Sequence, residues 1–275
     1  MYPTTADGSV APLTLQDFGR MRTAGEKIAC LTAYDASFAR LADAAGVEWV
    51  LVGDSLGMVI HGQSSTVAVS VDDIVYHCRA TAHGLQRGFL VADMPFLSFS
   101  TADEAIGNAR RMMQQGYAKM VKLEGGAVQA EIVRFLTARG VPVCGHLGLR
   151  PQLIHKLGGF KVQGREDAAA AEMLEDARVL QEAGADMLLL ECVPSSLAGR
   201  IRAASSVPVI GIGAGPEVDG QILVMHDILG VSRGRVPRFV KDFLAEAGDV
   251  EGAMKAYVAA VKSGAYPAPE HGFGD

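Results

Sequence analysis

Eight short apolar runs, each the length of a buried β-strand, recur along the chain with helix-like segments between them. In order they are IACLTAYD (28–35), VEWVLVGDS (47–55), FLVADMPF (89–96), MVKLEGG (120–126), VPVCGHLG (141–148), MLLLECVP (187–194), VPVIGIGAG (207–215) and QILVMHDILG (221–230). The runs are near-continuous rather than alternating, which is the pattern of parallel strands covered on both faces. The segments between them carry helix signals. STADEAIGNARRMMQQG (100–116) opens with a capping residue and early carboxylates and closes in glycine, and the Ala- and Glu-rich stretch 166–184 also ends in glycine. Eight runs in strict βα alternation favour a (β/α)8 barrel over an open doubly wound sheet. TLQDFGRMRTAG (14–25) reads as an extra helix before the first strand, and 238–264 as further helices after the last. The expected organisation is one domain over 1–275, with a core at about 26–235, a helical extension at 236–264 and a loose tail at 265–275. A chain of 275 residues that is 49% hydrophobic can bury a core of that size.

Charge and cysteine usage narrow the function classes. The formal net charge of −6 argues against nucleic acid or an anionic membrane as partner, and leaves a small anionic substrate open. Cys30, Cys78, Cys144 and Cys192 are scattered without a CxxC pair, so they read as buried thiols in a reducing cytosol. The N-terminal stretch has neither a basic start nor an apolar block, and no run is long enough to span a bilayer. A soluble, cytoplasmic protein is expected.

The acids fall where a barrel would use them. The first run ends in Asp35, the second in Asp54, the third in Asp93, the fourth in Glu124 and the sixth in Glu191. In a parallel barrel those ends converge on one rim, where active sites are built. One such acid can simply cap the next helix, and Asp35, before ASFARLADAAG, fits that role about as well as any functional one. Five of them repel one another unless something positive sits among them. Oxygen donors suit a hard divalent ion, with Mg²⁺ the usual choice, and no Cys/His spacing suggests zinc. Caps and ion pairs are the competing explanation.

MVKLEGG sharpens the point, because a strand meant for the core carries Lys122 and Glu124 two residues apart, and so on one face. Buried charges must be paired or metal-bound. If Glu124 faces a metal, Lys122 sits beside it, offsetting the acids and able to grip an anionic substrate group. A plain Lys122–Glu124 or Lys122–Asp93 ion pair is the alternative.

LTAYDASFA, VGDSLGM, VADMPF, VKLEGG, VPVCGHLGLRPQ, GGFKVQGR, LLLECVP and VIGIGAGPEVDGQILVMHD, taken in order, resemble the ketopantoate hydroxymethyltransferase family. The resemblance runs from about Leu31 to His226 and is looser in the tails; Ala68 stands where the family usually has proline. It implies a TIM barrel of the phosphoenolpyruvate mutase/isocitrate lyase type. It also implies transfer of a one-carbon unit from 5,10-methylenetetrahydrofolate, as co-substrate, to 3-methyl-2-oxobutanoate, giving 2-dehydropantoate. This is the first step toward pantothenate and coenzyme A. Carried over residue by residue, the family's metal ligands fall on Asp54, Asp93 and Glu124, for one Mg²⁺ per subunit with other divalent ions as alternatives. Contacts to the 2-oxo acid fall on Asp54, Ser55, Asp93 and Lys122, and the proton acceptor on Glu191. Ring-built homo-oligomers, often decamers, are implied as well.

The chemistry so implied is aldol-like, and needs a carboxylate base whose pKa lies near neutrality. The apolar surroundings of Glu191 in LLLECVP would raise it accordingly; facing a helix, Glu191 would be a cap instead. His146, at the end of the fifth run, is a candidate contact to substrate or to a carboxylate, or a packed polar histidine. His226 is equally ambiguous. GIGAG (211–215) is not GxGxxG and follows the seventh strand, so it reads as a close backbone approach rather than a dinucleotide loop. Two rivals remain: another metal-dependent enzyme acting on a 2-oxo acid, and a nucleotide-binding regulator.

Overall fold

The computed structural model describes residues 11–232 and 236–274. Each apolar run marks one strand: β1 (Ile28–Thr32), β2 (Trp49–Val52), β3 (Phe89–Asp93), β4 (Met120–Glu124), β5 (Val143–Gly148), β6 (Met187–Glu191), β7 (Val209–Ile212) and β8 (Gly220–Leu223), the last beginning one residue before its run, whose second half turns into the helix Met225–Ile228. All pair in parallel in chain order, and β8 closes on β1 to complete the barrel. Nearly every strand residue is buried, because side chains pointing inward fill the barrel while those pointing outward meet helices.

The helices form where capping and spacing direct them. In Asp167–Glu182 the buried residues are Ala170, Met173, Ala177 and Leu180, a stripe at helical spacing turned to the sheet. Ala102–Gln114 is capped by Thr101, whose hydroxyl accepts from the backbone N–H of Glu104, and it buries Ala105, Ala109 and Met112. The expected leading helix is Leu15–Ala24, ending at Gly25. It helps to close the bottom of the barrel, where the buried Asp219 accepts from Arg22 at 2.7 Å, from Arg202 at 2.9 Å and from the Val209 backbone at 3.0 Å. No helix among the described residues is long and apolar enough to cross a membrane.

The C-terminal extension contains the helices Leu244–Ala247 and Val250–Ser263. The Tyr257 hydroxyl of the latter donates toward the carbonyls of Cys30 and Gln221 at the barrel wall. The expectation of a loose tail is not met over residues 265–274. Tyr266 is buried and donates to the Phe239 carbonyl at 2.5 Å, Arg238 donates to the Glu270 carbonyl, and the Phe273 carbonyl accepts from the Ser195 N–H at 3.0 Å. Two aromatic anchors hold this irregular backbone where no periodic pattern could announce it. Asp275 lies outside the described residues.

Candidate active site

Register places the charged residues side by side at the C-terminal mouth. Asp93 pairs with Lys122 across β3 and β4, Glu124 with His146 across β4 and β5, and Gly148 with Glu191 across β5 and β6. Asp54 follows two residues after β2. The fifth acid, Asp35, stays apart: its carboxylate accepts from the N–H groups of Ser37 and Phe38, so it is the cap of the helix Ala36–Ala45.

Lys122 sits at the centre. Its ammonium donates to both oxygens of Asp93 at 2.8 Å and lies 3.9 Å from Glu124 Oε1. The Asp54 N–H donates to Asp93 Oδ2 at 3.1 Å. His146 stands between two acids, with Nδ1 3.6 Å from Glu124 and Nε2 3.4 Å from Glu191. Asp54, Asp93, Lys122, Glu124 and His146 are buried, whereas the Glu191 side chain remains 17% exposed. The i, i+2 relation thus puts Lys122 and Glu124 on one inward face.

Burial and mutual repulsion set the protonation states. Burial pushes Glu191 up to about 8; Lys122 opposes this, and Asp54 and Asp93 add to it. Burial likewise raises Glu124 well above the usual carboxylate range and Asp93 to about 7, with Lys122 pulling against both. For Lys122 itself burial works against the ammonium, but Asp93, Glu124 and Asp54 outweigh it and hold its pKa above the usual lysine value. His146 is driven well below its ordinary value by burial and by Lys122, and so is neutral.

Four acids crowd around one lysine, and three of them hold their protons more tightly than a free carboxylate does, a repulsion that a cation among them would relieve. Glu124 Oε1 is buried without a hydrogen-bond partner among the described residues. Those residues provide no tight group of three acid, histidine or cysteine ligands that would enclose a metal. Such an arrangement fits a hard ion that takes one or two carboxylates and keeps open positions for water or substrate, as Mg²⁺ does. It does not fit a closed all-protein cage.

The mouth opens into a cavity of about 970 Å³. Asp54, Ser55, Asp93, Lys122, His146 and Glu191 line its polar part, while Phe160, Val236, Phe239 and Phe273 belong to its apolar wall. Sites of ~300–1,000 Å³ hold ligands of drug size, so there is room for two small reactants. Glu124 does not line the cavity and lies behind Lys122 and His146.

Three features were missed in the sequence. Gln152, in the turn Pro151–Leu153 after β5, donates from Nε2 to Asp54 Oδ2 at 3.0 Å and from its backbone N–H to Glu124 Oε2 at 3.2 Å. Tyr34, fully buried, shares a 2.9 Å hydrogen bond with the Ser55 hydroxyl and packs on His226 with ring centroids 5.7 Å apart. Glu191 is held by unusual backbone: Cys192 adopts φ 49°, and Gly148, at φ 90°, lies so close that a Cβ there would stand 2.2 Å from the Glu191 carbonyl oxygen. Only the glycine of the HLG sequence hinted at this. GIGAG is a close approach, as expected: a Cβ on Gly213 would meet the Phe239 ring at 2.7 Å and the Phe273 ring at 3.1 Å.

Comparison with known proteins adds a family and a fold. A model of the ketopantoate hydroxymethyltransferase family matches residues 12–269. A 3-methyl-2-oxobutanoate hydroxymethyltransferase of Alkalilimnicola ehrlichii is 53% identical over 274 residues, spanning 100% of this chain and 99% of that protein. Among solved structures, 2,3-dimethylmalate lyase, a PEP mutase/isocitrate lyase superfamily member, superposes with a TM-score of 0.56 at 15% identity, covering 77% of this chain and 81% of the other. Phosphonopyruvate hydrolase in complex with oxalate and Mg²⁺ does so with a TM-score of 0.60 at 16% identity, covering 94% and 92%. At such identities these two likenesses concern the barrel alone.

Proposed function

Because the chain belongs to the ketopantoate hydroxymethyltransferase family, the enzymes of the first step of pantothenate biosynthesis, we propose that it transfers a one-carbon unit from 5,10-methylenetetrahydrofolate to 3-methyl-2-oxobutanoate in the cytoplasm. The product is 2-dehydropantoate. The observation that carries the mechanism is Glu191: a carboxylate raised to about 8, still open to the cavity, beside the cluster of Asp54, Asp93 and Lys122.

In this reading Lys122 and Ser55 hold the carboxylate of the 2-oxo acid, and the 2.9 Å contact with Tyr34 orients the Ser55 hydroxyl. Glu191 removes the proton on the third carbon, which its raised pKa suits. The carbon so freed bonds to the one-carbon unit, both bonds from that unit to the N5 and N10 nitrogens of the folate break, and water supplies the hydroxyl oxygen of the product; the proton taken from the third carbon and one proton of the water end on the two freed nitrogens. Asp54 and Asp93 would hold the divalent ion, with Glu124 behind them. When bound, the ion acts as a Lewis acid toward the keto oxygen. The co-substrate finds room along the apolar wall at Phe160, Val236 and Phe273. The ring-built homo-oligomer, a decamer, belongs to the same reading; exposed apolar side chains such as Ile60, Tyr76, Leu97 and Val128 support burial against further subunits.

The test is exchange of the proton on the third carbon, followed by NMR in heavy water without folate. The wild type should exchange it when Mg²⁺ is added, and Glu191→Gln should retain binding of the 2-oxo acid but slow exchange by roughly 10²–10⁴-fold. Exchange by Glu191→Gln at the wild-type rate would remove Glu191 from its role.

A further inference from the structure

We infer that Gln152 is a positioning residue for the carboxylates of the site, setting how Asp54 is presented to a divalent cation and anchoring Glu124 behind it; this rests on the metal reading above. The side chain is buried, and its Nε2 donates to two acceptors, Asp54 Oδ2 at 3.0 Å and the Met94 carbonyl at 2.9 Å. Two acceptors at one nitrogen fix which edge of the carboxamide faces them, since the amide oxygen in that place would be repelled by both. A bond to one oxygen of Asp54 restrains rotation of that carboxylate about its Cβ–Cγ bond, so the other oxygen is offered in one direction.

The backbone of the same residue completes the arrangement, with its N–H donating to Glu124 Oε2 at 3.2 Å. Met94 is itself tied to the next strand, its N–H donating to the Lys122 carbonyl at 2.8 Å. One residue in the turn after β5 therefore joins the ends of β2, β3 and β4. Lys122 engages Asp93 directly, whereas the Asp54 carboxylate receives its hydrogen bond from Gln152. Partners of this kind, which hold ligands rather than the ion, typically change metal affinity by about 10–100-fold when removed.

The probe is Mn²⁺ alone, its free concentration read by electron paramagnetic resonance with the full-length protein and no substrates. Gln152→Met keeps the volume and removes the donor, and should raise the Mn²⁺ Kd about tenfold. Gln152→Ala opens space for a water that can donate to Asp54 in its place, and should raise it less. A mere packing role predicts the reverse order, since alanine leaves the larger hole. The inference is overturned if both variants bind Mn²⁺ within about twofold of wild type, if alanine costs more affinity than methionine, or if the volume-matched methionine variant fails to fold. Asp54→Asn separates the two levels of argument: if it leaves wild-type Mn²⁺ affinity unchanged, the carboxylate reading itself falls, and this inference with it.

Discussion

Replacing Lys122 by methionine removes the cation around which the acids are packed. The residue is buried, donates twice to Asp93 at 2.8 Å and stands 3.9 Å from Glu124, while Asp93 is 1% exposed. Taking one partner from a buried pair leaves the other charge uncompensated, a loss of about 3–5 kcal/mol. For a domain of this size that lowers the thermal midpoint by roughly 6–20 °C. Asp93 has one escape, which is to take up a proton. Its pKa already stands at about 7 with Lys122 pulling it down, and rises further once the lysine is gone. A carboxyl group whose folded pKa exceeds its unfolded value binds more protons in the native state, so stability falls as pH rises toward the folded pKa. The deficit of Lys122→Met relative to wild type should therefore grow between pH 7 and pH 9. Adding Asp93→Asn, which removes the orphaned charge, should recover most of it. Thermal unfolding followed by circular dichroism at both pH values measures this. A single variant within about 1 kcal/mol of wild type at both, or a double variant no more stable than the single, would refute the argument.

Gly148→Ala should lower kcat at least tenfold with little change in binding of the 2-oxo acid, because its Cβ would stand 2.2 Å from the Glu191 carbonyl oxygen and its φ of 90° suits glycine alone. The backbone strain adds a stability loss of roughly 1–2 kcal/mol, and an unchanged kcat would show that Glu191 needs no such support. The pH profile of kcat/KM should rise with a one-proton slope, because Glu191 in its proposed role acts when ionised. Its midpoint should lie above 4.5 and no higher than about 8, a bound cation drawing it down within that window. A flat profile across pH 5–9 would contradict the role assigned to Glu191.

The barrel was legible because parallel strands covered on both faces leave an apolar signature that helices cannot imitate at that length. Seven of the eight runs contain their strand whole; the eighth overlaps β8, which begins one residue earlier at Gly220, and the second half of that run forms the helix Met225–Ile228 instead. Among the acids, Asp54, Asp93, Glu124 and Glu191 stood out by strand position, and sequence could not separate them from Asp35, whose cap becomes visible only in its hydrogen bonds. Gln152 carried no such signal: it lies in an irregular turn after a proline, and its partner Asp54 is 98 residues away. Tyr34 read as one more apolar strand residue, although its hydroxyl meets Ser55. The tail misled for the opposite reason, since Tyr266 and Phe273 anchor it by contacts that leave no periodicity.

The division between strands and loops also divides the work of the site. Asp93, Glu124 and Glu191 are the last residues of their strands, and Lys122 lies within β4; ladder pairing holds Lys122 and Glu191 from both neighbouring strands, and Asp93 and Glu124 from one. Charges that must meet a small substrate within fractions of an ångström need that rigidity. The cavity wall is built differently. Phe160 follows the short helix Ile154–Leu157, Val236 and Phe239 follow the helix Met225–Ile228, and Phe273 belongs to the tail. Those segments lie outside the strands that carry Asp93, Lys122, Glu124 and Glu191. In the proposed reaction, selection of the larger, second reactant falls to the loops and the tail, and bond making to the strand ends. Gly213 is where the two parts touch, since a side chain there would strike the rings of Phe239 and Phe273 and lift the wall from the floor.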